Sequence, residues 1–355
     1  MKIKTEELRA AFTAVDNIAV NPVLESSQYV RVRQEGDKLT LALTGSSWSE
    51  ASVKGATGGG KWTEYADRRM MKAFMASCSG PEVEVLYKPK EKLTFKAGQR
   101  LEVASHAPVP GYESWLPKAA AALSAEHRSA LTAAVKYLPL NMAGAENMAG
   151  VWFGKDMMIA TDSISLLGFY GLASKAEYVM PADVAMLASS SDAKVAADKD
   201  GAAAVLPGGY VYQPRSAQLD SYPHAASKAM LDVALKSKAQ VTLAAPELLD
   251  ALRIASQFIF DKNEAACIES ASSGGLLITV TMATGEFQRT VKASGRLDAP
   301  VDVAVKRIMP WLEFAGSAQV EYAHMELQVA GGAQTCSTFK FTDGGRINVL
   351  LTSDI

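Results

Sequence analysis

The stretch GKDMMIATDSISL, residues 154–166, sets apolar side chains at alternating positions and then ends in polar residues. Met157 and Ile159 lie two residues apart, which is the spacing of a β-strand with one buried face. Two other stretches follow the same plan, GDKLTLALTGSS at 36–47 and SGGLLITVTMATG at 273–285. Each begins in a turn rich in Gly, Asp or Ser, which suits the link between two antiparallel strands. The three strands recur at offsets of 118 and 119 residues, which indicates an internal repeat.

Helical patterns, with apolar residues three or four apart, flank each of these strands. The first helices are predicted at 6–15, 126–135 and 246–255, and the second helices at 67–77, 181–190 and 305–315. Pro310 lies inside the last pattern and predicts a kink or a later start. Two more strands follow each second helix. The sequence therefore predicts an α+β protein of three similar domains, residues 1–116, 117–235 and 236–355, each with two helices and antiparallel sheets.

The composition indicates a soluble globular protein. Of 355 residues, 48% are hydrophobic and 21% are charged, and the net charge of −2 argues against a surface coated with nucleic acid. The three cysteines are odd in number and far apart, which fits a reducing compartment rather than a disulfide framework or a zinc site. No apolar run approaches the ~18 residues of a membrane span. We therefore expect a cytoplasmic protein without a membrane anchor.

The candidate motifs for catalysis or cofactor binding are incomplete. GATGGGK at 55–61 has the spacing of a phosphate-binding loop, but Trp62 stands where Ser or Thr should hold magnesium. DKDG at 198–201 lacks the glutamate of a calcium loop, since position 207 is Pro207. The four histidines have no partner at metal-ligand spacing. We predict no catalytic residue, metal or cofactor, and an enzyme that uses the Gly-rich loop for a nucleotide stays as a third alternative.

Basic residues recur off the apolar faces of the helices. A solvated helix face would explain any one of them, but their recurrence in a repeat favours a functional surface. The second domain departs from this pattern, because it has Ala182 and Asp183 where the others are basic. The candidates are Arg9, Arg68, Arg69, Lys72, Arg128, Arg253, Lys306 and Arg307.

Five segments, in order along the whole chain, resemble the bacterial-type DNA sliding clamp, the beta subunit of DNA polymerase III. They are MKIKTEELRAAF at the start, LTFKAGQRLEVASHAPVPGYESW, VWFGKDMMIATDSISL, AQLDSYPH at 217–224 and INVLLTSDI at the end. The resemblance implies three DNA-clamp domains that form half of a six-domain ring, closed by two subunits head to tail. Helices would line the hole and sheets would form the outer wall.

The resemblance implies that the eight basic residues face duplex DNA. A ring that encloses DNA needs only weak, sequence-independent phosphate contacts, so a slightly acidic chain with basic helix faces fits this function. We expect a processivity factor with the replicative DNA polymerase and a clamp loader as partners. The alternative is a clamp-fold scaffold that binds peptides without being loaded on DNA.

The resemblance also implies a hydrophobic cleft for short partner peptides. It would be lined by Met148, Thr161, Leu166, Pro223, Val349 and Leu351. The family's Thr-Asp-Gly-His-Arg-Leu motif reads Thr-Asp-Ser-Ile-Ser-Leu at 161–166, and the tail reads Leu-Thr-Ser at 351–353. These departures fit a divergent or viral replisome. Thr161 would then lie at a partner pocket, not at a site of bond cleavage.

The dimer contact is expected at unpaired strand edges with apolar anchors. One edge is the last strand of the first domain, and the other is the region after the first helix of the third. The predicted interface residues are Leu101, Val103, Phe258, Ile259 and Phe260.

Overall fold

The computed structural model describes most of the chain and divides it into two compact units. Residues 1–353 are described, apart from 17–24, 45–46, 57–59, 90, 105–119, 140–144, 175–176, 191, 199–200, 207, 215–219, 260–264, 283–284 and 330–331. The first unit comprises Met1–Leu123 and Asp183–Arg215, and the second comprises Ser124–Ala182 and Ser216–Ile355.

The elements alternate between short helices and antiparallel strands. The strands are β1 Lys2–Lys4, β2 Tyr29–Glu35, β3 Lys38–Thr44, β4 Trp48–Lys54, β5 Lys61–Asp67, β6 Glu82–Lys88, β7 Lys92–Ala97, β8 Gln99–Ala104, β9 Ala121–Ala122, β10 Gly150–Phe153, β11 Met157–Thr161, β12 Ser165–Tyr170, β13 Tyr178–Pro181, β14 Lys194–Asp198, β15 Gly201–Leu206, β16 Gly209–Pro214, β17 Val241–Ala244, β18 Ala265–Ser270, β19 Leu276–Met282, β20 Gly285–Val291, β21 Ser294–Gly295, β22 Val301–Ala304, β23 Gln319–Val329, β24 Gly332–Asp343 and β25 Arg346–Ser353. The α-helices are α1 Thr5–Asp16, α2 Arg68–Ser77, α3 Ala125–Ala134, α4 Ala182–Ser190, α5 His224–Lys236, α6 Ala245–Ala255 and α7 Val305–Ala315. Short 3-10 turns lie at Glu25–Gln28, Val135–Tyr137, Glu146–Met148 and Ser256–Phe258.

The first unit holds two antiparallel sheets, in the orders β1-β6-β7-β8 and β5-β2-β3-β4-β16-β15-β14-β9. Its helix α1 buries Leu8, Phe12 and Val15 on one face, as the spacing predicts. Helix α2 begins where the side chain of Asp67 accepts a hydrogen bond from the backbone N–H of Met70, at 2.9 Å.

The second unit repeats this plan with the orders β13-β10-β11-β12-β25-β24-β23-β17-β21 and β20-β19-β18-β22. Its core contains Trp311 of α7, which is fully buried and lies against the rings of Phe339 and Phe341. Pro310 does not delay the start of α7, because the helix runs from Val305 through it. The α+β class with antiparallel sheets is confirmed.

The two long sheets each join strands from neighbouring repeats. β4 pairs with β16, where Trp48 faces Tyr212, and β12 pairs with β25, where Leu166 faces Leu351. β4 and β12 are equivalent strands, since each follows a hairpin with the preceding strand of its repeat. Each of these sheets contains strands from both sides of a predicted domain boundary, near 116 or near 235. The chain therefore divides into two compact units instead of three. The three-domain boundaries stay a prediction.

Candidate nucleic-acid interface and partner cleft

Three of the candidate basic residues in the first repeat are held by groups of the fold. Arg9 donates to two carbonyls at the end of α2, those of Met75 and Cys78, both at 3.0 Å. Arg68 forms an ion pair with Asp16 at the end of α1 (2.6 Å), and Lys72 approaches the same carboxylate at 2.8 Å. The Arg68 side chain is only 16% exposed, whereas that of Lys72 is 66% exposed. Asp16 therefore balances the charge of Arg68.

Arg69 and Lys306 occupy equivalent positions at the start of the second helices α2 and α7. Each lies two residues before a fully buried side chain, Met71 in α2 and Ile308 in α7. The burial pattern thus aligns Arg69 with Lys306. Both side chains are exposed, and neither forms a hydrogen bond or ion pair with a described residue.

The second repeat has an acidic residue at this position. Asp183 lies in the first turn of α4, is buried, and accepts a hydrogen bond from the Ser47 hydroxyl. No cation of α4 can therefore take the place of Arg69 or Lys306 there.

The first helices of the second and third repeats carry Arg128 and Arg253. Arg128 of α3 is half-buried, whereas Arg253 of α6 is exposed and pairs with Glu313 at 3.1 Å. Lys136 holds the other oxygen of Glu313 at 3.0 Å. Hydrogen bonds from Lys136 and Arg253 hold the pKa of Glu313 below its usual value, so the carboxylate stays charged.

Arg307, the last of the eight, turns towards the β11–β12 turn. Its guanidinium forms an ion pair with Asp162, and both side chains are about 15% exposed. The Tyr137 hydroxyl donates a hydrogen bond to the backbone carbonyl of Arg307. Burial raises the pKa of Tyr137, so the hydroxyl keeps its proton and can donate. The charge of Arg307 is thus already balanced within the fold.

The turn between β11 and β12 is built by its own polar side chains. One oxygen of Asp162 accepts hydrogen bonds from the backbone N–H groups of Ile164 (3.0 Å) and Ser165 (2.7 Å). The Thr161 hydroxyl donates to the carbonyl of Ser165 at 2.9 Å and accepts from the N–H of Ser163 at 3.1 Å. Ser163 has a φ of +74°, and no other described non-glycine residue has a positive φ. The Thr-Asp pair is therefore a turn.

Four of the predicted cleft residues lie on three adjacent strands. Thr161 pairs with Leu166 across the hairpin, and Leu166 pairs with Leu351 on β25. Leu166, Val349 and Leu351 belong to one hydrophobic cluster, and they are only 6%, 0% and 2% exposed. The structure brings these residues together, but as the buried floor of a site, not as an open surface.

Helix α5 covers this floor, although it is absent from the predicted elements. Leu231 of α5 is fully buried and packs so closely on Gly168 that an added Cβ there would lie 2.8 Å from it. Lys340 donates to the carbonyl of Ser237 (2.6 Å), just past the end of α5, and Tyr170 donates to Asp232 (3.0 Å). The stretch HAASKAMLDVALK directly follows a proline and contains neither Gly nor Pro, which is the sequence signal for this helix.

The two remaining cleft candidates, Pro223 and Met148, are not part of this hydrophobic cluster. Pro223 is the residue before α5 and is half-buried. The next residue, His224, stacks on Trp152 with ring centroids 5.3 Å apart. Met148 is half-buried in the Glu146–Met148 turn.

Solved structures with the same architecture span the whole chain. The beta subunit from DNA polymerase of Streptococcus pyogenes has a TM-score of 0.76 at 11% sequence identity and covers 100% of this chain and 99% of that one. DNA polymerase III beta subunits from Thermotoga maritima (TM-score 0.76, 12% identity) and Pseudomonas aeruginosa (TM-score 0.74, 13% identity) also cover 100% of this chain, and 98% and 99% of theirs. No protein-family model matches the chain, and neither does any curated protein sequence.

The chain has the fold of the DNA polymerase III beta subunit. The resemblance inferred from the sequence is confirmed at the level of the fold, and identities of 11–13% mark a divergent chain. Solved sliding clamps share the beta-subunit fold, one of them from Bacillus subtilis.

Two of the predicted dimer residues of this beta-subunit fold lie on a strand that ends its sheet. Leu101 and Val103 are on β8, and their side chains are 8% and 7% exposed. Phe258 lies in the 3-10 turn after α6 and stacks on Phe287 of β20, which ends another sheet, with ring centroids 5.0 Å apart. Ile259 is 4% exposed. Phe260 lies outside the described residues.

The described residues also bear on metal-ligand clusters, the two incomplete motifs and membrane spans. They contain no group of three or more His, Cys, Asp or Glu side chains that could hold a metal ion. Residues 57–59 of the Gly-rich loop and 199–200 of DKDG lie outside the described part, and Lys61 begins β5, not a helix. No described helix is long and apolar enough to cross a membrane.

Replacing Ser163 by Gly should stabilise the protein by about 1 kcal/mol, because glycine adopts a positive φ without the penalty of a Cβ. The measurement is the free energy of unfolding in a denaturant titration. Ser272→Gly is the matched control, since Ser272 is also an exposed turn serine but lacks a positive φ. The control should lose stability. Equal losses in both variants would contradict the strain assigned to Ser163.

Proposed function

We propose that the protein is a DNA sliding clamp, a processivity factor without catalytic activity. Two copies close head to tail into a ring of six domains around duplex DNA. The ring tethers the replicative DNA polymerase, and is loaded by a clamp loader. The beta-subunit fold over the full chain supports this proposal.

The observation that carries it is the repeated pairing of strands between neighbouring repeats. β4 and β12 are each joined to the last strand of the following repeat, β16 and β25. The equivalent strands are β20 in the third repeat and β8 in the first. Each is the end strand of its own sheet, and its free edge has no partner among the described strands. An exposed antiparallel edge favours another strand. A second copy that supplies β8 to β20, and receives β8 in return, completes the pattern and closes the ring.

The DNA contacts should be few. Arg69 and Lys306 are the best candidates, because they are exposed, equivalent and not paired with a described residue. Lys72 and Arg253 are exposed, but each forms an ion pair with a carboxylate that a second basic side chain also contacts. Arg9, Arg68, Arg128 and Arg307 complete the set predicted from the sequence. DNA binding by the first three stays a prediction, whereas the guanidinium of Arg307 is already paired with Asp162. Weak contacts suit a ring that slides, since enclosure rather than affinity retains the DNA.

The cleft is the proposed site for the partner peptide. Its floor of Leu166, Val349 and Leu351 is apolar and offers the environment that anchors a short peptide. Because Leu231 of α5 covers this floor, a peptide side chain that reaches it has to displace Leu231. Pro223 and Met148 stay predicted contacts.

The alternative function is a clamp-fold scaffold that binds peptides without being loaded on DNA. It is favoured by the pairing of Arg68 and Arg307 with carboxylates. One measurement distinguishes the two functions, the length of the products that the cognate polymerase makes on a closed circular template. A clamp lengthens the products, whereas a scaffold leaves them unchanged.

In solution the protein should be a dimer, so light scattering at micromolar concentration should give twice the chain mass of 37.7 kDa. Proline substitutions on the edge strand β20 test the contact, because proline removes a backbone N–H and neighbouring N–H groups point to opposite sides of a strand. Of Gln288→Pro and Arg289→Pro, one should lower Tm by breaking the pairing with β19. The other should keep Tm and give monomers. A wild-type monomer throughout the range, or two dimeric variants, would rule out this interface.

The pair Arg69→Glu and Lys306→Glu should shorten retention on closed circular DNA and reduce its salt dependence. The slope of log K against log salt should fall by about 0.9 for each phosphate that the variant no longer neutralises. The control, Lys155→Glu with Lys238→Glu, alters two other exposed lysines and changes the net charge equally. Unchanged retention in the first variant, with an unchanged salt slope, would mean that DNA lies against another face.

Leu231→Ala should tighten binding of a labelled peptide from the C-terminus of the replicative polymerase, because it uncovers the floor of the cleft. The substitution should also cost about 2–5 kcal/mol of stability, as for other buried leucines. Leu235→Ala is the control, since Leu235 packs on the same cluster and loses the same atoms. Fluorescence anisotropy measures both affinities. If Leu231→Ala binds no more tightly than the control, the peptide does not enter at this position.

A further inference from the structure

We propose that Arg307 positions the β11–β12 turn of the cleft and does not contact DNA. This inference rests on the proposed function for the cleft as a peptide site. It assigns adjacent residues of α7 to different tasks, Lys306 to phosphate and Arg307 to the partner site.

The Asp162 carboxylate links the two elements. One of its oxygens accepts hydrogen bonds from the N–H groups of Ile164 and Ser165, at 3.0 and 2.7 Å. Its other oxygen forms the ion pair with Arg307. A charge-assisted bond to guanidinium fixes the orientation of the carboxylate plane. The turn therefore keeps its shape through a residue that belongs to a different repeat.

Burial separates Arg307 from Lys306. The side chains of Arg307 and Asp162 are 15% and 14% exposed, so water screens their attraction only partly. Tyr137 also binds the backbone carbonyl of Arg307. For Arg307 to reach a phosphate, it would have to leave Asp162 with an unpaired charge in this partly buried position. Lys306 is exposed and faces no such competition.

The turn also positions the floor of the cleft. The carbonyl of Ile164 accepts a hydrogen bond from the N–H of Ser353 at 3.1 Å, which joins the turn to the end of β25. Leu166 lies two residues after Ile164 and pairs with Leu351 on that strand. Ser163, at a φ of +74°, has to be held in place by its neighbours. A turn released from Arg307 would shift Leu166 relative to Leu351.

The first test needs no ligand. Amide hydrogen exchange of the full-length protein is compared between wild type, Arg307→Gln and Lys306→Gln. In Arg307→Gln the amides of Ile164 and Ser165 should exchange faster by about tenfold or more, because their acceptor is no longer held. In Lys306→Gln they should exchange as in wild type. Unchanged exchange in Arg307→Gln overturns the inference, whatever happens at the cleft.

Asp162→Asn provides a second variant that keeps the acceptor oxygen and removes the charge. Its exchange should resemble that of Arg307→Gln, and the double variant should be little worse than either single one, because the two residues act as a pair. Additive effects would contradict the pairing. If Arg307→Gln does not fold, Arg307→Lys keeps the charge but not the fork geometry, and should show an intermediate acceleration.

The last measurements separate the positioning role from the proposed function itself. A labelled peptide from the C-terminus of the replicative polymerase should bind Arg307→Gln more weakly and Lys306→Gln normally, whereas DNA retention should fall only in Lys306→Gln. The opposite pattern would make Arg307 a DNA contact. If wild type binds no peptide, the proposed peptide site fails, and the exchange data still decide whether Arg307 holds the turn.

Discussion

Antiparallel pairing between neighbouring repeats is the interaction on which the rest of the structure depends. A single repeat has strands at its sheet edges whose backbone groups need partners. β4 with β16 and β12 with β25 satisfy this need inside the chain. The pairing fixes which side chains meet across each junction, because strand register places every residue on a defined face. The cleft floor of Leu166, Val349 and Leu351 exists only because β25 pairs with β12.

The packing of elements that are distant in sequence determines which charged side chains form ion pairs. This packing places arginines beside carboxylates, as with Arg68 and Asp16 or Arg307 and Asp162. These partly buried pairs balance charge within the fold and leave less of it for an external ligand. Exposed groups such as Arg69 and Lys306 keep their full charge towards solvent. A chain of net charge −2 can thus still expose individual basic side chains that no described carboxylate balances.

Helix α5 changes the character of the proposed partner site. Gly168 has no side chain, and Leu231 occupies the space above it. The hydrophobic cluster gains from this burial at about 25 cal/mol for each Å² of apolar surface removed from water. A partner that uses the same floor competes with a side chain of the protein itself. If the proposed peptide binds there, its affinity depends on the stability of α5 as well as on the peptide.

The sequence by itself determined the repeat, the class of fold and the resemblance to the beta subunit. Alternating apolar residues at nearly equal offsets predicted the hairpins, and apolar residues three or four apart predicted helices such as α1 and α7, since both patterns reflect local periodicity. The repeat pattern did not predict α5, and spacing did not distinguish Arg307 from Lys306. Only the tertiary structure decided these points. Whether an arginine meets a carboxylate 145 residues away, or a leucine covers a distant glycine, depends on how strands from different repeats pair, and local spacing carries no information about such pairing.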